Sequence, residues 1–191
     1  MKVRNTVLTG VVVIEPDVYG DERGCFLQTF HEKRYAEIGI NYPFVQDNHS
    51  RSKKGVLRGL HYQLVRPQGQ LMSVVRGEIF DVAVDVRKGS ETFGQWVGEV
   101  LNDVNHKQLF IPPGFAHGFC VLSDEVDMIY RCTDYYHPES EKTILWNDPE
   151  LNIQWPIGND VILSEKDRLA PCLSEMDSLD FPSLLVGVDT K

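Results

Sequence analysis

The 191-residue sequence lacks the features of membrane-spanning, secreted and nucleic-acid-binding proteins. No apolar stretch approaches the roughly 20 residues that a membrane-spanning helix needs. Residues 1–6 lack the apolar region of a signal peptide, and we expect a cytoplasmic protein with no membrane partner. Acidic residues outnumber basic ones by 28 to 19, and this net charge of −9 argues against a nucleic-acid partner, which would need a basic surface.

Cysteines and cofactor motifs are also scarce. The four cysteines, at positions 25, 120, 132 and 172, have neither the spacing of a metal site nor the density of a disulfide framework. They are interpreted as reduced cytosolic thiols. The sequence has no G-x-G-x-x-G motif and no P-loop, so no redox cofactor and no P-loop nucleotide site are predicted.

Alternation of apolar and polar side chains, by contrast, is abundant. Residues 79–87 are the clearest example: positions 80, 82, 84 and 86 share one face, and the odd positions share the other. Residues 71–75 precede this strand, with Arg76-Gly77 predicted as the turn of a hairpin. Many short strands at regular spacing indicate a β-sandwich or barrel. The other predicted strands are 7–15, 25–30, 44–50, 94–101, 108–111, 118–121, 126–133 and 142–146.

Helices are predicted at only two places. Residues 31–38 have helical character, and residues 164–169 form a short helix with Ser164 as its N-cap and Asp167 at the third helical position. The length fits a single domain, residues 1–191, with a core of about 3–170. We expect the tail, residues 171–191, to pack on the barrel or on a partner chain.

Two glycine-flanked islands carry unusual polar residues. Residues 55–63 place Arg58 and His61 in an apolar run, and residues 112–119 place His117 in a similar setting. Because an unpaired buried guanidinium costs several kcal/mol, a fold keeps it where something anionic meets it. The two islands therefore predict one pocket with both histidines and the arginine on its wall. The alternative is two satisfied core histidines and a surface arginine.

The second island is similar to a cupin metal motif whose first half is missing. Pro112-x-Gly114-x-x-His117 matches the second cupin motif, but His61-Tyr62-Gln63 stands where the first motif has two histidines. The next glutamate is Glu78, beyond ligand distance. Two histidines and an amide are a poor ligand set for a divalent ion, so no metal site is predicted.

With these residues laid out, the chain closely resembles the dTDP-4-dehydrorhamnose 3,5-epimerases, the RmlC-like branch of the cupins. The resemblance implies an all-β, cupin-type double-stranded β-helix (a jelly-roll barrel) with a few short helices near the N- and C-terminal parts. It covers most of residues 3–170. The matching blocks are 21–24, 46–50, 55–63, 77–87, 111–119, 130–136, 146–149 and 164–167.

The activity that the resemblance implies is a cofactor-independent epimerisation at C3 and C5 of dTDP-4-dehydro-6-deoxy-D-glucose. A ketone acidifies its flanking carbons, so the reaction needs a base, an acid across the ring, and donors at the ketone oxygen. By resemblance His61 is the base, Asp167 orients it, and Tyr130 is the acid. Taken alone, Asp167 could be a helix N-terminal carboxylate and Tyr130 a core residue.

The resemblance also implies a set of binding residues and a homodimer. Arg58, His117 and Lys166 match positions near the enolate or the diphosphate, although Lys166 could be a solvated surface charge. Gln46, Asn48 and Glu141 match nucleotide- or sugar-binding positions. Arg23 and Phe26 match positions that reach into the neighbouring subunit's site, although Arg23 in Asp-Glu-Arg-Gly could be a plain turn residue. His49 lies in a matching block without an assigned role, and the remaining histidines, at 31, 106 and 137, are interpreted as structural or surface residues.

Two binding positions depart from the family pattern. Gln70 stands where many members have a lysine, which is expected to stabilise the enolate, and Gln28 stands where a glutamate is common. An amide donates a hydrogen bond without charge, and charge-assisted bonds are roughly twice as strong. The departures indicate either a variant of full activity or a changed outcome, with one carbon epimerised or another sugar used.

Four functions therefore remain open from the sequence. The first is the 3,5-epimerase, supplying a rhamnose precursor for surface polysaccharide such as lipopolysaccharide O-antigen. The second is a single-site epimerase or ketoisomerase on a related nucleotide sugar, and the third is a non-enzymatic cupin that binds nucleotide sugars. The fourth, a metal enzyme, would need three or more protein ligands.

Overall fold

Short strands dominate the computed structural model, which describes residues 1–158 and 160–184. Its helices are α1 (Glu32–Ala36) and α2 (Glu165–Arg168), with 3₁₀ turns at Pro138–Ser140, Leu173–Glu175 and Ser178–Asp180. The strands are β1 (Lys2–Asn5), β2 (Val12–Glu15), β3 (Val18–Asp21), β4 (Gly24–Leu27), β5 (Gln46–Lys53), β6 (Leu57–Gln63), β7 (Gln70–Arg76), β8 (Glu78–Asp85), β9 (Trp96–Asn102), β10 (Gln108–Ile111), β11 (Phe115–Val121), β12 (Glu125–Cys132) and β13 (Glu141–Thr143).

Two antiparallel sheets form the body of the fold. The six-stranded sheet has the order β1-β2-β10-β7-β12-β5, and the five-stranded sheet has the order β13-β6-β11-β8-β9. Strands β3 and β4 form a separate two-stranded ribbon. The predicted all-β jelly roll is confirmed. Within the described residues, however, no ladder of hydrogen bonds joins the two large sheets into a closed barrel.

A buried apolar layer fills the space between the sheets. It combines side chains of the six-stranded sheet, such as Met72 and Met128, with side chains of the five-stranded sheet, such as Ile79 and Phe115. The outer face of each sheet is covered as well. Tyr35 of α1 packs on the six-stranded sheet, and apolar side chains between Ile144 and Phe181 pack on the five-stranded one.

The alternation predicted for β8 is confirmed, but the hairpin predicted before it is wrong. Ile79 and Ala83 face the layer between the sheets, while Val82 and Val84 face the outer cluster. Strands β7 and β8 do not pair, because the chain crosses at Gly77 from one sheet to the other. Gly77 has a φ of +85°, and an added Cβ would lie 2.2 Å from a backbone carbonyl oxygen, so only glycine fits this crossing.

Both predicted helices form, and the described tail packs on the fold. The Ser164 hydroxyl accepts a hydrogen bond from the Asp167 backbone N–H at 3.1 Å, which confirms the predicted N-cap of α2. Leu173 is buried against the five-stranded sheet, and the Tyr62 hydroxyl donates to the Asp180 carbonyl at 2.7 Å. The predicted tail continues to 191, but residues 185–191 lie outside the described part. No helix in that part is long and apolar enough to cross a membrane.

Candidate active site

A cavity of about 980 Å³ opens between the two sheets, at the upper end of the size range of small-molecule sites. Its walls carry ten of the thirteen site residues predicted from the sequence. The five-stranded sheet contributes Arg58, His61, His117 and Glu141, the six-stranded sheet contributes Gln46, Asn48, Gln70 and Tyr130, and α2 contributes Lys166 and Asp167.

The two histidine islands meet side by side. Strands β6 and β11 pair antiparallel, and His61 and His117 are direct cross-strand partners. Directly opposite residues of an antiparallel pair project from the same face, with Cβ atoms about 5 Å apart. The register therefore places both imidazoles on one wall of the cavity.

A β-bulge brings Arg58 to the same wall. A spacing of three in a regular strand would place Arg58 and His61 on opposite faces. Here His117 faces His61 while Phe119 faces Arg58, so β6 has one residue more than β11 between these pairs. Gly59 lies in this bulge with a φ of +123°, and an added Cβ would lie 2.5 Å from the Gly118 Cα.

His61 forms a dyad with a carboxylate supplied by α2. The His61 Nε2 lies 2.6 Å from the Asp167 Oδ1, and only 3% of the Asp167 side chain is exposed. Burial raises the pKa of the Asp167 carboxyl, but its interactions with His61, Ser164 and Lys166 outweigh burial and leave the pKa below its ordinary value. An ionised carboxylate only accepts hydrogen bonds, so Nε2 carries the proton and the Nδ1 lone pair of a neutral His61 is free to act as a base.

His117 forms a second dyad, which the sequence did not reveal. Its Nε2 lies 2.6 Å from the Asp81 Oδ1, and the Asp81 side chain has no solvent exposure. Within the described residues, the other carboxylate oxygen of Asp81 is buried without a hydrogen-bond partner.

Tyr130 stands on the other sheet, in β12. Asn48 and Met72 flank it on the neighbouring strands β5 and β7. Burial raises the pKa of the Tyr130 phenol, and the nearby Cys132 adds to the rise, whereas the charge of Arg58 opposes it. The phenol is therefore protonated at neutral pH, and it lines the cavity from the sheet opposite to His61.

Two cations on the cavity wall differ in their partners. The Arg58 guanidinium donates to the neutral Ser52 hydroxyl at 3.1 and 3.2 Å, so its charge is not neutralised by that contact. The Lys166 ammonium lies 2.6 Å from the Glu141 carboxylate, which also accepts from the Tyr136 hydroxyl at 3.3 Å. Burial raises the pKa of the Tyr136 phenol, and the contact with Glu141 raises it further.

Amide side chains line the six-stranded wall. The Gln46 amide donates to the Asn48 side-chain oxygen at 3.1 Å, and Gln46 and Gln70 flank Cys132 on the two neighbouring strands. The Gln70 side-chain oxygen is buried and has no partner among the described residues. It is therefore an acceptor available to a hydroxyl group of a ligand.

Three predicted site residues lie outside this cavity. Arg23 and Phe26 belong to the β3–β4 ribbon, where Arg23 pairs with Asp21 and 69% of Phe26 is exposed. Gln28 follows the ribbon and accepts a hydrogen bond from Arg34 at 3.2 Å. Within one chain the structure does not bring these three side chains to the other ten.

Several cavity partners were not predicted from the sequence. Asp81 carried the strongest available signal, a carboxylate within an apolar alternating strand. Ser52 and Tyr136 contact predicted site residues, but nothing in their local sequence marks them. Among the described residues, no group of three or more His, Cys, Asp or Glu side chains could hold a metal ion.

Comparisons with known proteins agree with this geometry. A family model described as dTDP-4-dehydrorhamnose 3,5-epimerase matches residues 5–175. A curated protein of that name from Methanothermobacter thermautotrophicus is 56% identical over 165 residues, which are 85% of this chain and 89% of the relative. A curated dTDP-4-dehydrorhamnose 3-epimerase from Streptomyces niveus is 41% identical over 177 residues, 92% of this chain and 85% of the relative.

A solved structure is equally similar. It is a 3,5-epimerase from Legionella pneumophila in complex with dTDP-4-keto-L-rhamnose, 55% identical in sequence, with a TM-score of 0.94. The match covers 97% of this chain and 99% of that one. Together with the family model, these matches show that the chain belongs to the dTDP-4-dehydrorhamnose 3,5-epimerase family.

Proposed function

We propose that this isomerase converts dTDP-4-dehydro-6-deoxy-D-glucose into dTDP-4-dehydro-L-rhamnose by epimerisation at C3 and C5. The observation that carries the proposal is the His61–Asp167 dyad on one wall of the cavity with Tyr130 on the opposite wall. A pair of this kind can remove a proton from one face of a sugar ring and return one to the other face. Relatives of high identity bear the name of this activity.

His61 is the base of the proposed mechanism. Its Nδ1 takes a proton from a carbon beside the ketone, and the electron pair of that C–H bond moves into an enolate. Asp167 holds the imidazole in the tautomer that leaves Nδ1 unprotonated, and it stabilises the imidazolium that forms. Substrate and product are isomers, so the chemistry itself requires no net oxidation or reduction.

Tyr130 completes the epimerisation. Its phenol donates a proton to the enolate carbon from the six-stranded sheet, opposite to the face from which His61 removed one. The raised pKa of Tyr130 keeps the phenol protonated until the basic enolate carbon is formed. Proton exchange with solvent then restores the neutral imidazole of His61 and the phenol of Tyr130. Repetition at the second carbon inverts C3 and C5 in turn.

Arg58 and the amide residues bind the rest of the substrate in this proposal. Arg58 has only a neutral hydrogen-bond partner among the described residues, so its guanidinium group is available to a phosphate or an enolate oxygen. Gln46, Asn48 and Gln70 offer hydrogen bonds to the nucleotide and the sugar. Lys166 exchanges part of its contact with Glu141 for the diphosphate, and Glu141 then accepts from a ligand hydroxyl.

The exposed ribbon supports a homodimer. Phe26 is a large apolar side chain left largely in water, and Arg23 at the ribbon tip is 85% exposed. Both would be covered if the ribbon entered the cavity of a second copy, and Gln28 at its base would lie near that contact. The dimer is tested by mixing inactive His61→Asn and Arg23→Ala subunits. If sites are shared, each mixed dimer has one intact site and activity returns, whereas sites confined to one chain leave the mixture inactive.

A single-site epimerase is the second candidate. Gln70 occupies the cavity with an unpartnered oxygen, in a chain that also matches a 3-epimerase at 41% identity. We locate either activity in the cytoplasm, since the four cysteines are free thiols in the described structure, as is usual in a reducing compartment.

Solvent deuterium distinguishes the two candidates. The protein is mixed with dTDP-4-dehydro-6-deoxy-D-glucose in heavy water, without added metal or nicotinamide, and C3 and C5 are followed by NMR. Deuterium at both carbons, lost in His61→Asn, supports the 3,5-epimerase. Deuterium at one carbon only supports the single-site enzyme, and exchange at neither carbon contradicts both.

A further inference from the structure

Asp81 is the most deeply buried ionisable partner in the site. Its side chain has no solvent exposure, and its one hydrogen bond within the described residues joins Oδ1 to the His117 Nε2 at 2.6 Å. The second oxygen, Oδ2, is buried without a partner. A buried carboxylate of this kind is stable as an anion only beside a compensating positive charge.

His117 is the group that can supply that charge. The other titratable or charged groups that line the same cavity come from both sheets, from the loop after β12 and from α2; they are His49, Arg51, Arg58, His61, Tyr62, Tyr130, Cys132, Tyr136, Glu141, Lys166 and Asp167. In the described structure, none of these groups forms a hydrogen bond to Asp81, and Asp167 is already engaged by His61. The pairing therefore favours an imidazolium at His117.

The protonation state decides what His117 presents to a ligand. Because Nε2 donates to Asp81, a neutral His117 would expose a lone pair at Nδ1, whereas an imidazolium exposes an N–H donor. In a ketone, the carbon that loses a proton is adjacent to the carbon that bears the oxygen. Side chains that are direct cross-strand partners, as His61 and His117 are, can reach these two neighbouring positions at once.

We propose that Asp81 is a positioning residue that holds His117 as an imidazolium, whose Nδ1–H donates to the ketone oxygen as that oxygen becomes an enolate. No covalent bond forms at His117, and its proton stays on the ring. The fixed positive charge compensates for the neutral Gln70. This inference rests on the proposed epimerase function and assigns one part of it to a residue pair.

The two dyads have the same geometry but different surroundings. Asp167 is stabilised by Ser164 and Lys166 in addition to His61, so its charge does not depend on a protonated imidazole. Asp81 depends on His117 alone among the described residues. The same pair of residue types thus gives a neutral base in one dyad and a cationic donor in the other.

The charge of His117 can be measured without turnover. In ¹⁵N-labelled wild-type protein at pH 7.5, the histidine ring nitrogens are recorded by NMR, and the His117 signals are assigned by their loss in His117→Gln. We expect two protonated nitrogens at His117. A single protonated nitrogen in the wild type overturns the proposal, whatever the kinetic variants do.

Kinetics then test the coupling between the two residues. Loss of one enolate donor predicts a fall in kcat on the order of 10² for Asp81→Asn, with KM little changed. Asp81→Asn combined with His117→Gln should be no slower than His117→Gln alone, because Asp81 acts only through His117. Asp127→Asn is the matched control, since it removes a carboxylate 2.7 Å from His49 without touching the dyads.

The outcomes separate this inference from the proposed function. A kcat of Asp81→Asn equal to that of the wild type, or losses that add fully in the double variant, overturns the role of Asp81 while leaving epimerisation intact. If the wild-type protein incorporates deuterium at neither C3 nor C5 of the substrate, the proposed function is contradicted instead. The NMR measurement still reports the charge of His117 in that case.

Discussion

Replacing Asp167 by asparagine should separate catalysis from stability. The amide has the size and shape of the carboxylate, so the packing around α2 is retained. Its NH₂ group can donate to the His61 Nε2, which the carboxylate cannot do. Donation to Nε2 requires the ring proton to sit on Nδ1, and the base then has no lone pair facing the cavity.

The expected loss of kcat in Asp167→Asn is much larger than the expected loss of stability. A wrong tautomer in a histidine–carboxylate pair lowers kcat by about 10⁴, which corresponds to roughly 5.5 kcal/mol at 1.4 kcal/mol per tenfold. The free energy of unfolding changes far less, because a charge-assisted bond is exchanged for a neutral one, a difference of about 1 kcal/mol. For a domain of this size, that loss lowers Tm by about 2–4 °C.

Two assays on one preparation test this prediction. Deuterium incorporation into dTDP-4-dehydro-6-deoxy-D-glucose gives the rate, and calorimetry gives Tm. Asp127→Asn serves as the control, because it alters the His49–Asp127 pair, outside the catalytic dyad, at a similar distance of 2.7 Å. A folded Asp167→Asn enzyme with a kcat within tenfold of the wild type would refute the tautomer argument.

Three further predictions address other parts of the site. Tyr130→Phe keeps the ring in place and should lower the rate of product formation by about 10²–10⁴-fold, while deuterium exchange catalysed by His61 persists. If NMR shows that both rates fall equally, Tyr130 and His61 do not have separate roles as acid and base. Gly59→Ala should reduce both Tm and kcat, because its Cβ would lie 2.5 Å from the Gly118 backbone; unchanged values would show that the bulge tolerates a side chain. Burial raises the pKa of the Asp85 carboxyl, but hydrogen bonds from Arg87 and two hydroxyls lower it by more, so the pKa lies below its ordinary value. The stability that this carboxylate contributes is therefore present above its unfolded pKa of about 4 and is lost as the pH falls below that value. Between pH 3 and 5 the free energy of unfolding should therefore depend less steeply on pH in Asp85→Asn than in the wild type. Identical slopes in the two proteins would contradict this role of Asp85.

Local sequence patterns were sufficient for most of the strands and for the two islands of the site, but they missed β1 and β3, and the strand predicted at 7–15 forms only over Val12–Glu15. The faces of β8 could be read from its alternation, and the Ser164 cap could be read from the side chain that begins α2, because both signals are local. The partner strands of β8 could not be predicted. Arg76-Gly77 has the composition of a hairpin turn, but the choice of sheet on either side of it depends on tertiary packing.

The contacts that were missed are those made across strands. The bulge that turns Arg58 toward His61 exists only against β11, and the sequence shows it as nothing more than a glycine in an apolar run. Asp81 and His117 are 36 positions apart and meet through the register of β8 and β11. The family resemblance supplied roles for individual positions, but it did not supply this second carboxylate partner.

The division of the cavity between two sheets has a consequence for stereochemical fidelity. Base and acid belong to sheets that no hydrogen-bonded ladder joins in the described part of the chain, so the gap between them is set by the thickness of the apolar layer. Met72 belongs both to that layer and to the cavity wall, and an unbranched thioether adapts readily to changes in its neighbours. The volume of buried side chains therefore acts as a spacer between proton donor and proton acceptor. Substitutions that alter only this spacer would change how often a proton returns to the face it left, and would do so without touching the sugar.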